Sequence, residues 1–464
     1  MKTFSSGETL IIVSIILAYI IFTAWLSVKL RSKDNSQFMT AGKSMPTFIV
    51  GVLLMSEYIG AKSTVGTAQS AFQNGMAASW SVLAASIGFI FYGLFFVKKL
   101  YDTGEFTISG AIEKKYGKST KLIVSVIMIY ALFLVNVGNY ISGASALVTV
   151  LKVNLPVAMI IIGIVSTIYF SFGGMKGVAY VTVLHSAVKY VGVMIIVATA
   201  LVLTHGVAPI THSLPHFYFT GTGKIGITTV IGWIIATGGS IFSTQFVVQA
   251  ISSTKNAKSA QKSTMIAAAF CIPLALAIAF AGVSARYLFP HMKSLYALPI
   301  FIQSMSPVLA GIVATSLVAS VFVSVSTVAL GIVSLIVSDF YVPHCKPTPE
   351  KQLKMTRIIS VIIGFAPLIF AFYVPQILSL SFFTRALRLS IGIVAVIAFY
   401  CPFFNSSRGA NLGLIGAAIA TTIWYLLNNP FGIDNIYVSI VVPIIVMVIE
   451  RLLHWNKKPE SKVA

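Results

Sequence analysis

The sequence predicts an all-α integral membrane protein with about 13 transmembrane helices. Of its 464 residues, 57% are hydrophobic and only 9% are charged, against about 25% charged in soluble domains. The apolar runs are long enough to cross a bilayer as helices, whereas barrel strands are short and alternate in polarity. The predicted spans are 10–28, 47–73, 79–97, 122–151, 157–172, 177–204, 225–252, 264–289, 301–338, 358–374, 377–402, 409–427 and 436–453.

The distribution of basic residues predicts the orientation of the chain. With the N-terminus outside, 23 of the 32 lysines and arginines fall in predicted cytoplasmic segments and five in outer segments. Such an excess on the cytoplasmic side is typical of membrane proteins. We therefore expect a multi-pass protein of the plasma (cytoplasmic) membrane whose C-terminus is cytoplasmic. The net charge of +21 then orients the protein in the bilayer and does not indicate a nucleic-acid partner.

One predicted span carries polar residues at the depth of the lipid tails. The stretch Ser56–Thr67 contains Glu57, Lys62, Gly60 and Gly66. A charge at the centre of a spanning helix costs roughly 3 kcal/mol, and irregular backbone at this depth is tolerated only beside protein or a water-filled cavity. The stretch predicts a broken helix that lines a solute or ion site. The alternative is that the glycines only allow close helix packing while Lys62 reaches the interface.

A second span has a matching feature. The span 225–252 contains Thr237-Gly238-Gly239-Ser240 near its middle, which predicts a second interruption. Transporters built from two related halves bind solute at the midplane, beside helices that are discontinuous in both halves. The alternative is that the glycines serve only close helix packing. That alternative explains one of the two sites more readily than it explains both.

Six stretches form an ordered set of motifs along the chain. They are the Phe38-to-Pro46 entry to the second span, its Ala71-to-Gly75 end, the Thr107-to-Gly117 loop, Tyr169-to-Val178 with its Gly-Gly pair, Gln245-to-Ala260, and Asp339-Phe340-Tyr341. Together they resemble the sodium:solute symporter family over roughly residues 10–400.

The resemblance implies a LeuT-like core of two inverted five-helix repeats that works by alternating access. It divides the chain into an N-terminal extracellular end with the first span and a cytoplasmic loop, two repeats, two peripheral spans and a cytoplasmic tail. These parts cover residues 1–46, 47–204, 225–402, 409–453 and 454–464.

The resemblance also implies a sodium site. Its ligands would be the backbone carbonyls of Ser56 and Ile59 and positions Ser320, Val323 and Ser324, since hard cations prefer oxygen. Val323 removes one hydroxyl that the family usually has. The hydroxyls of Ser316, Ser320, Ser324 and Thr327 still share one helical face, although hydroxyls on apolar helices often bond only to the preceding turn.

Other departures from the family weaken the sodium site. Thr182 stands where the family commonly has aspartate and His185 where it has glutamine, while Lys189 shares their helix face. Two unit charges 5–6 Å apart repel by roughly 3 kcal/mol at an effective dielectric constant of 20. We therefore hypothesise that Lys189 or Lys62 replaces the sodium ion and carries a proton, with Glu57 as its partner.

The expected solute is a small carboxylate or amino acid. Residues 60–64 and the second interruption with Gly238 and Gly239 would line its site, because helix N-termini at the breaks favour anionic groups. Further candidates for contact with the solute are Tyr58, Ser63 and Gln69. Arg385 and Arg388 lie near the outer end of the eleventh span, where they would attract anions or serve as interfacial residues that reach the lipid headgroups.

These features predict a secondary active transporter that performs cation-coupled symport of a small organic solute. Sodium is the expected coupling ion, and proton-coupled or cation-independent transport is the alternative. A non-transporting solute sensor on the same scaffold is a rival of a different class. A membrane enzyme is excluded, because the sequence has no catalytic cluster of His, Asp or Glu within its spans and no common catalytic motif. No organic cofactor is expected, and neither the solute nor the oligomeric state is predicted.

Overall fold

The protein folds into a bundle of helices arranged around one nearly buried helix. The computed structural model describes residues 4–151, 153–371 and 377–454, with side chains at these positions except 61, 62, 145–147, 149–151 and 377–379. The principal helices are α1 Ser6–Lys29, α2 Thr47–Tyr58, α3 Ala61–Asn74, α4 Trp80–Phe91, α5 Lys118–Leu151, α6 Leu155–Leu203, α7 Ile227–Ile241, α8 Gln245–Ser252, α9 Ala257–Leu288, α10 Pro307–Leu335, α11 Pro349–Ala371, α12 Ile377–Tyr400, α13 Ser407–Leu426 and α14 Asn435–Leu453.

Shorter helical segments connect or extend these helices. Two π-helical segments, Tyr92–Phe96 and Ile336–Tyr341, prolong α4 and α10 into the short helices Val97–Tyr101 and Val342–Cys345. The connecting helices and turns are Asn35–Thr40, Ala41–Lys43, Met76–Ser79, Ile108–Tyr116, Ala208–Ser213, His216–Phe219, Ser294–Tyr296, Pro299–Ser304, Pro402–Phe404 and Pro430–Gly432. The all-α prediction is confirmed.

Burial separates a central helix from peripheral ones. Within its most apolar 18 residues, α10 is 94% buried, against 22% for α1 and 28% for α14. The outward faces of the peripheral helices are apolar, as Leu10 and Ile21 on α1 and Leu453 on α14 are each more than two thirds exposed. Such a surface suits lipid and not water. Helix α10 therefore forms the core against which the other helices pack.

The number of spans depends on how bent helices are counted. Within the described residues, ten helices are long and apolar enough to cross a membrane, and two bent pairs, α2 with α3 and α7 with α8, bring the number to twelve. Helix α6 has 49 residues, about 74 Å at 1.5 Å per residue, which exceeds twice the thickness of a bilayer core. It was expected as two spans, 157–172 and 177–204. The total of thirteen and the division into two repeats stay predictions.

A single glycine divides α6. Gly174 has φ +55° and ψ −155°, a conformation that residues with a side chain rarely adopt. The carbonyls before this kink find partners on the segment after α1, because Ser32 Oγ donates to Gly173 O at 2.7 Å and Ser32 N donates to Phe172 O at 3.2 Å. The Gly-Gly motif thus turns the chain between two spanning halves.

Replacing Gly174 with alanine is expected to destabilise the protein by about 2–4 kcal/mol, because it adds backbone strain of 1–3 kcal/mol and a steric clash. A Cβ there would lie 2.8 Å from Phe38 Cα, which is backbone and cannot rotate away. Thermal unfolding of the purified protein measures the effect. Gly163→Ala on the same helix is the control, since its nearest contact would be 3.5 Å; equal stability of both variants would contradict the assignment.

Three of the motif stretches, Thr107-to-Gly117, Gln245-to-Ala260 and Asp339-to-Tyr341, meet in space. Gln245 Oε1 accepts from the amide of Ile108 at 3.0 Å, and its Nε2 donates to Phe106 O at 3.1 Å. The buried carboxylate of Asp339 accepts from the hydroxyls of Ser109 and Ser125. These hydrogen bonds hold the 107–117 loop against the start of α8 and against the π-helical segment that follows α10. The motif residues therefore stabilise the packing of this loop.

Candidate functional site

The predicted interruption in the second span is present. Helix α2 ends at Tyr58 and α3 begins at Ala61, and the two helices are bent by 51°. Ile59 and Gly60 between them have non-helical backbone angles, with ψ of 64° and −171°. The Gly60 carbonyl starts the new helix by accepting from Thr64 N at 2.9 Å. The Ile59 carbonyl is left available to a donor from another helix.

That donor is Lys189. Its ammonium group donates a hydrogen bond to the carbonyl oxygen of Ile59, and its side chain is 1% exposed. One turn earlier on α6, the Ser186 hydroxyl bonds with the Ser56 hydroxyl at the end of α2. The side chain of Lys189 therefore donates to one of the two carbonyls that were expected to bind sodium. Thr182 and His185 are buried on the same helix, and no side chain there supplies the carboxylate of the family pattern.

The other half of the expected sodium site lies on α10. A Cβ added at Gly60 would lie 1.8 Å from Ser324 Oγ and 3.8 Å from Ser320 O, so the break rests directly on this pair of serines. Each hydroxyl donates one turn back, Ser320 to Ser316 O at 3.0 Å and Ser324 to Ser320 O at 2.9 Å. Val323 is buried, and its carbonyl accepts from Thr327 at 3.0 Å. The break therefore lies against two of the expected ligands, Ser320 and Ser324, and the sodium site as a whole stays a prediction.

A cavity of about 70 Å³ lies beside the break, and Lys189 is not among the residues that line it. A water molecule needs roughly 10–15 Å³ of such volume, so the cavity has room for a small solute. It is lined by Glu57, Tyr58, Gly60, Ser63, Thr67, Ser81, Val135, Asn139, Ser324, Val328, Ser381, Phe382, Arg385 and Arg388. Three residues that were predicted to contact the solute, Glu57, Tyr58 and Ser63, thus line the same cavity.

The expectation that the second interruption lies at Thr237–Ser240 was wrong. Helix α7 runs through Gly238 and Gly239 to Ile241, and the 48° bend to α8 follows at residues 242–244. The two glycines serve packing instead. A Cβ at Gly88 would lie 2.6 Å from Gly238 Cα, and a Cβ at Gly239 would lie 2.2 Å from Leu389 Cδ1. Neither glycine lines the cavity.

Arg385 and Arg388 line the cavity and are not interfacial residues. Arg388 is 6% exposed and donates to Thr244 Oγ1 at 3.0 Å, at the end of the second break. Arg385 donates to Thr237 Oγ1 at 2.9 Å. The position of these arginines near the end of a predicted span suggested the membrane interface. In the structure, Thr237 of α7 and Thr244 at the start of α8 supply hydroxyl acceptors to the two guanidinium groups.

The remaining candidates lie elsewhere. His185 contacts the Tyr19 hydroxyl between α6 and α1, and Gln69 lies 3.5 Å from the Ser294 hydroxyl on a connecting segment. The side chain of Lys62 lies outside the described part of the structure. Neither His185 nor Gln69 is part of the cavity wall.

Several lining residues were not predicted. Asn139 donates to Ser324 O at 3.3 Å and to Asn136 Oδ1 at 3.2 Å, and Thr67 and Ser81 hydroxyls are 2.6 Å apart. The signal for the asparagines was present, since two amides three residues apart in an apolar span must face protein. Isolated serines and threonines gave no such signal.

Comparisons with known proteins agree with this architecture. The family model described as the sodium:solute symporter family matches residues 38–416. The sodium/pantothenate symporter of Haemophilus influenzae is 22% identical over 97% of this chain and 96% of its own length. The sodium/glucose cotransporter of Vibrio parahaemolyticus is 28% identical over a matched segment of 163 residues. That segment covers 34% of this chain and 30% of the cotransporter.

Two solved structures share the fold. A Na⁺-coupled sialic acid symporter in a substrate-bound, outward-open state has a TM-score of 0.84, at 18% identity over 97% of this chain and 98% of its own. A nucleobase–cation symport family transporter in a closed conformation, with bromovinylhydantoin bound, has a TM-score of 0.63, at 15% identity over 93% and 98%. These likenesses confirm the LeuT-like fold.

A bundle of spanning helices with a broken helix beside an internal cavity suits a membrane transporter of solutes, and the matching family and relatives are transporters and not enzymes. The chain belongs to the sodium:solute symporter family. Its family and relatives support cation-coupled symport of a small solute across a membrane that the chain crosses many times.

Proposed function

We propose that this chain is a secondary active transporter that moves a small organic solute by alternating access, with Lys189 in place of a bound sodium ion. The observation that carries the proposal is the hydrogen bond from the Lys189 ammonium to the Ile59 carbonyl at the break of the second span. The same carbonyl was the expected ligand of sodium. The solute belongs in the cavity beside Glu57 and Ser63.

Electrostatics favour exclusion of sodium while Lys189 is charged. A cation on the Ile59 carbonyl would lie roughly 4 Å from the ammonium nitrogen, where two unit charges repel by about 4 kcal/mol at an effective dielectric constant of 20. That corresponds to a loss of affinity of nearly a thousandfold. The serine hydroxyls of α10 cannot offset this loss, because Val323 lacks a hydroxyl and Thr182 lacks a carboxylate.

Proton coupling follows from a lysine that is charged in one state of the cycle and neutral in another. When Lys189 holds its proton, it bonds to the broken helix and stabilises the conformation seen here. Loss of the proton leaves a neutral amine, which is a weaker donor to the Ile59 carbonyl than the charged ammonium group, and this weakening allows the break to rearrange. The proton thus takes the role that sodium has in the sodium-coupled relatives.

Sodium coupling is the second candidate, and a specific observation favours it. The break still rests on Ser320 and Ser324 through Gly60, as a site shared between the two helices would require. For sodium to bind, Lys189 would have to leave the Ile59 carbonyl. The excess of basic residues in the predicted cytoplasmic segments supports a location in the plasma membrane with the N-terminus outside and the C-terminus in the cytoplasm.

Uptake into proteoliposomes separates the two candidates. A panel of radiolabelled amino acids, carboxylates and vitamins first identifies a transported solute. We expect a pH gradient, acid outside, to drive its accumulation without sodium, at about tenfold per pH unit for one proton, since one unit supplies about 1.4 kcal/mol. Accumulation that follows a sodium gradient and ignores the pH gradient would overturn the role of Lys189.

A further inference from the structure

The cavity wall contains two arginines three residues apart on α12. Residues i and i+3 lie on the same face of a helix, and both Arg385 and Arg388 line the cavity. Because both guanidinium groups face one cavity, their positive charges repel one another. Placing two like charges at a largely buried site is costly unless an anion lies between or beside them.

The described hydrogen bonds of these arginines are all with neutral oxygens, and the Arg385 guanidinium also lies 5.1 Å from the centroid of the Phe382 ring. Arg385 donates to Thr237 Oγ1, and Arg388 donates to Thr384 O at 3.2 Å and to Thr244 Oγ1. Among the residues that the structure describes, neither forms an ion pair with a carboxylate. Since a guanidinium has five N–H donors, both groups keep donors for a ligand.

The same cavity offers an apolar surface. Val135, Val328 and Phe382 line it together with the two arginines. The one acidic residue of the lining, Glu57, leaves an excess of positive charge over the described side chains. A ligand that fits this wall has a negative group at one end and a short apolar body at the other.

We propose that Arg385 and Arg388 bind the carboxylate of a short monocarboxylate of about two to four carbons. Arginine matches the two oxygens of a carboxylate with paired hydrogen bonds, and the apolar residues would contact the carbon chain. The cavity of about 70 Å³ is about half the 150 Å³ that holds benzene in another protein. This inference rests on the proposed function, because it assumes that the cavity carries the solute.

Direct binding tests the inference without any gradient. The full-length protein, purified in detergent, is titrated with radiolabelled propionate. We expect saturable binding that lactate displaces and glucose does not. Arg385→Gln and Arg388→Gln should each raise the Kd for propionate by about 10- to 100-fold, the usual effect of losing a charge-assisted hydrogen bond. Arg385→Lys should lie between Arg385→Gln and the unaltered protein, because it keeps the charge but loses the paired geometry.

Arg286→Gln is the matched control. Arg286 donates to Pro290 O at 2.7 Å and lies over the Phe72 ring, so its loss should leave the Kd within about twofold. Size-exclusion profiles and thermal unfolding show whether each variant is folded. Should Arg388→Gln fail to fold, Arg385→Gln and Arg385→Lys still decide the outcome.

Three results would overturn the inference. Propionate could fail to bind while a neutral solute is accumulated under a proton gradient, which would leave the proposed coupling intact. Chloride could displace propionate as effectively as lactate does, which would indicate a site for any anion. Succinate could bind more tightly than propionate, which would indicate a dicarboxylate. Failure of the proposed coupling differs from all three, because propionate would then bind and be transported with sodium.

Discussion

Replacing Lys189 with methionine is expected to abolish proton-driven accumulation. Methionine keeps much of the length of lysine but has no charge and no donor for the Ile59 carbonyl. Under a pH gradient of one unit, the ratio of solute inside to outside should fall from about ten to about one. Radiolabelled uptake into proteoliposomes measures this ratio.

The same variant should still bind solute. Lys189 is not part of the cavity wall, so the Kd of Lys189→Met should stay within about threefold, well below the tenfold that 1.4 kcal/mol represents. Lys176→Met is the matched control, because Lys176 lies on the same helix, beside the Gly174 kink and away from the break. Full accumulation by Lys189→Met would show that another group carries the coupling cation.

Replacing Gly60 with alanine is expected to stop transport and to lower stability by about 1–3 kcal/mol, the usual cost of overpacking a buried site. The new Cβ would lie 1.8 Å from Ser324 Oγ and 3.0 Å from Ser324 Cβ, so the break could not rest on α10. The initial rate of uptake and thermal unfolding measure the two effects.

A second substitution tests whether this contact is the cause. Ser324→Gly removes both atoms that the alanine would meet, so the double variant Gly60→Ala with Ser324→Gly should be more stable than Gly60→Ala alone. Gly66→Ala on α3 is the control, since a Cβ there has no atom within 4 Å. No gain from the double variant would mean that the break needs glycine for its backbone and not for the contact.

The first interruption could be predicted because its signal is local. Glu57, Gly60 and Lys62 stand within one apolar stretch, and charged residues at that depth are costly unless they face protein or a water-filled cavity. Lys189 was found for the same reason. Its acceptor, the Ile59 carbonyl, required the resemblance to the family, because the backbone carries no sequence signal of its own.

The second interruption shows what a single sequence does not contain. Glycine permits a bend and it permits close packing, and only the neighbour decides between them. Gly238 meets Gly88 of α4, which lies far away in the sequence, so the helix continues and bends later at residues 242–244. For Arg385 and Arg388 the sequence left open whether they attract anions or serve as interfacial residues, because their acceptors Thr237 and Thr244 come from other parts of the chain.

The hydroxyl of Thr244 has no hydrogen-bonding capacity left. It donates to Ser240 O at 2.6 Å, accepts from Arg388 at 3.0 Å, and therefore must accept from the Tyr58 hydroxyl at 3.1 Å, because a hydroxyl has one proton and two lone pairs. Separating the two discontinuous helices breaks this junction, and a polar atom that is left buried without a partner costs about 1–3 kcal/mol. Water in the adjoining cavity can replace the lost hydrogen bond, because Tyr58 and Arg388 both line that cavity. Opening of the break is therefore coupled to hydration of this junction.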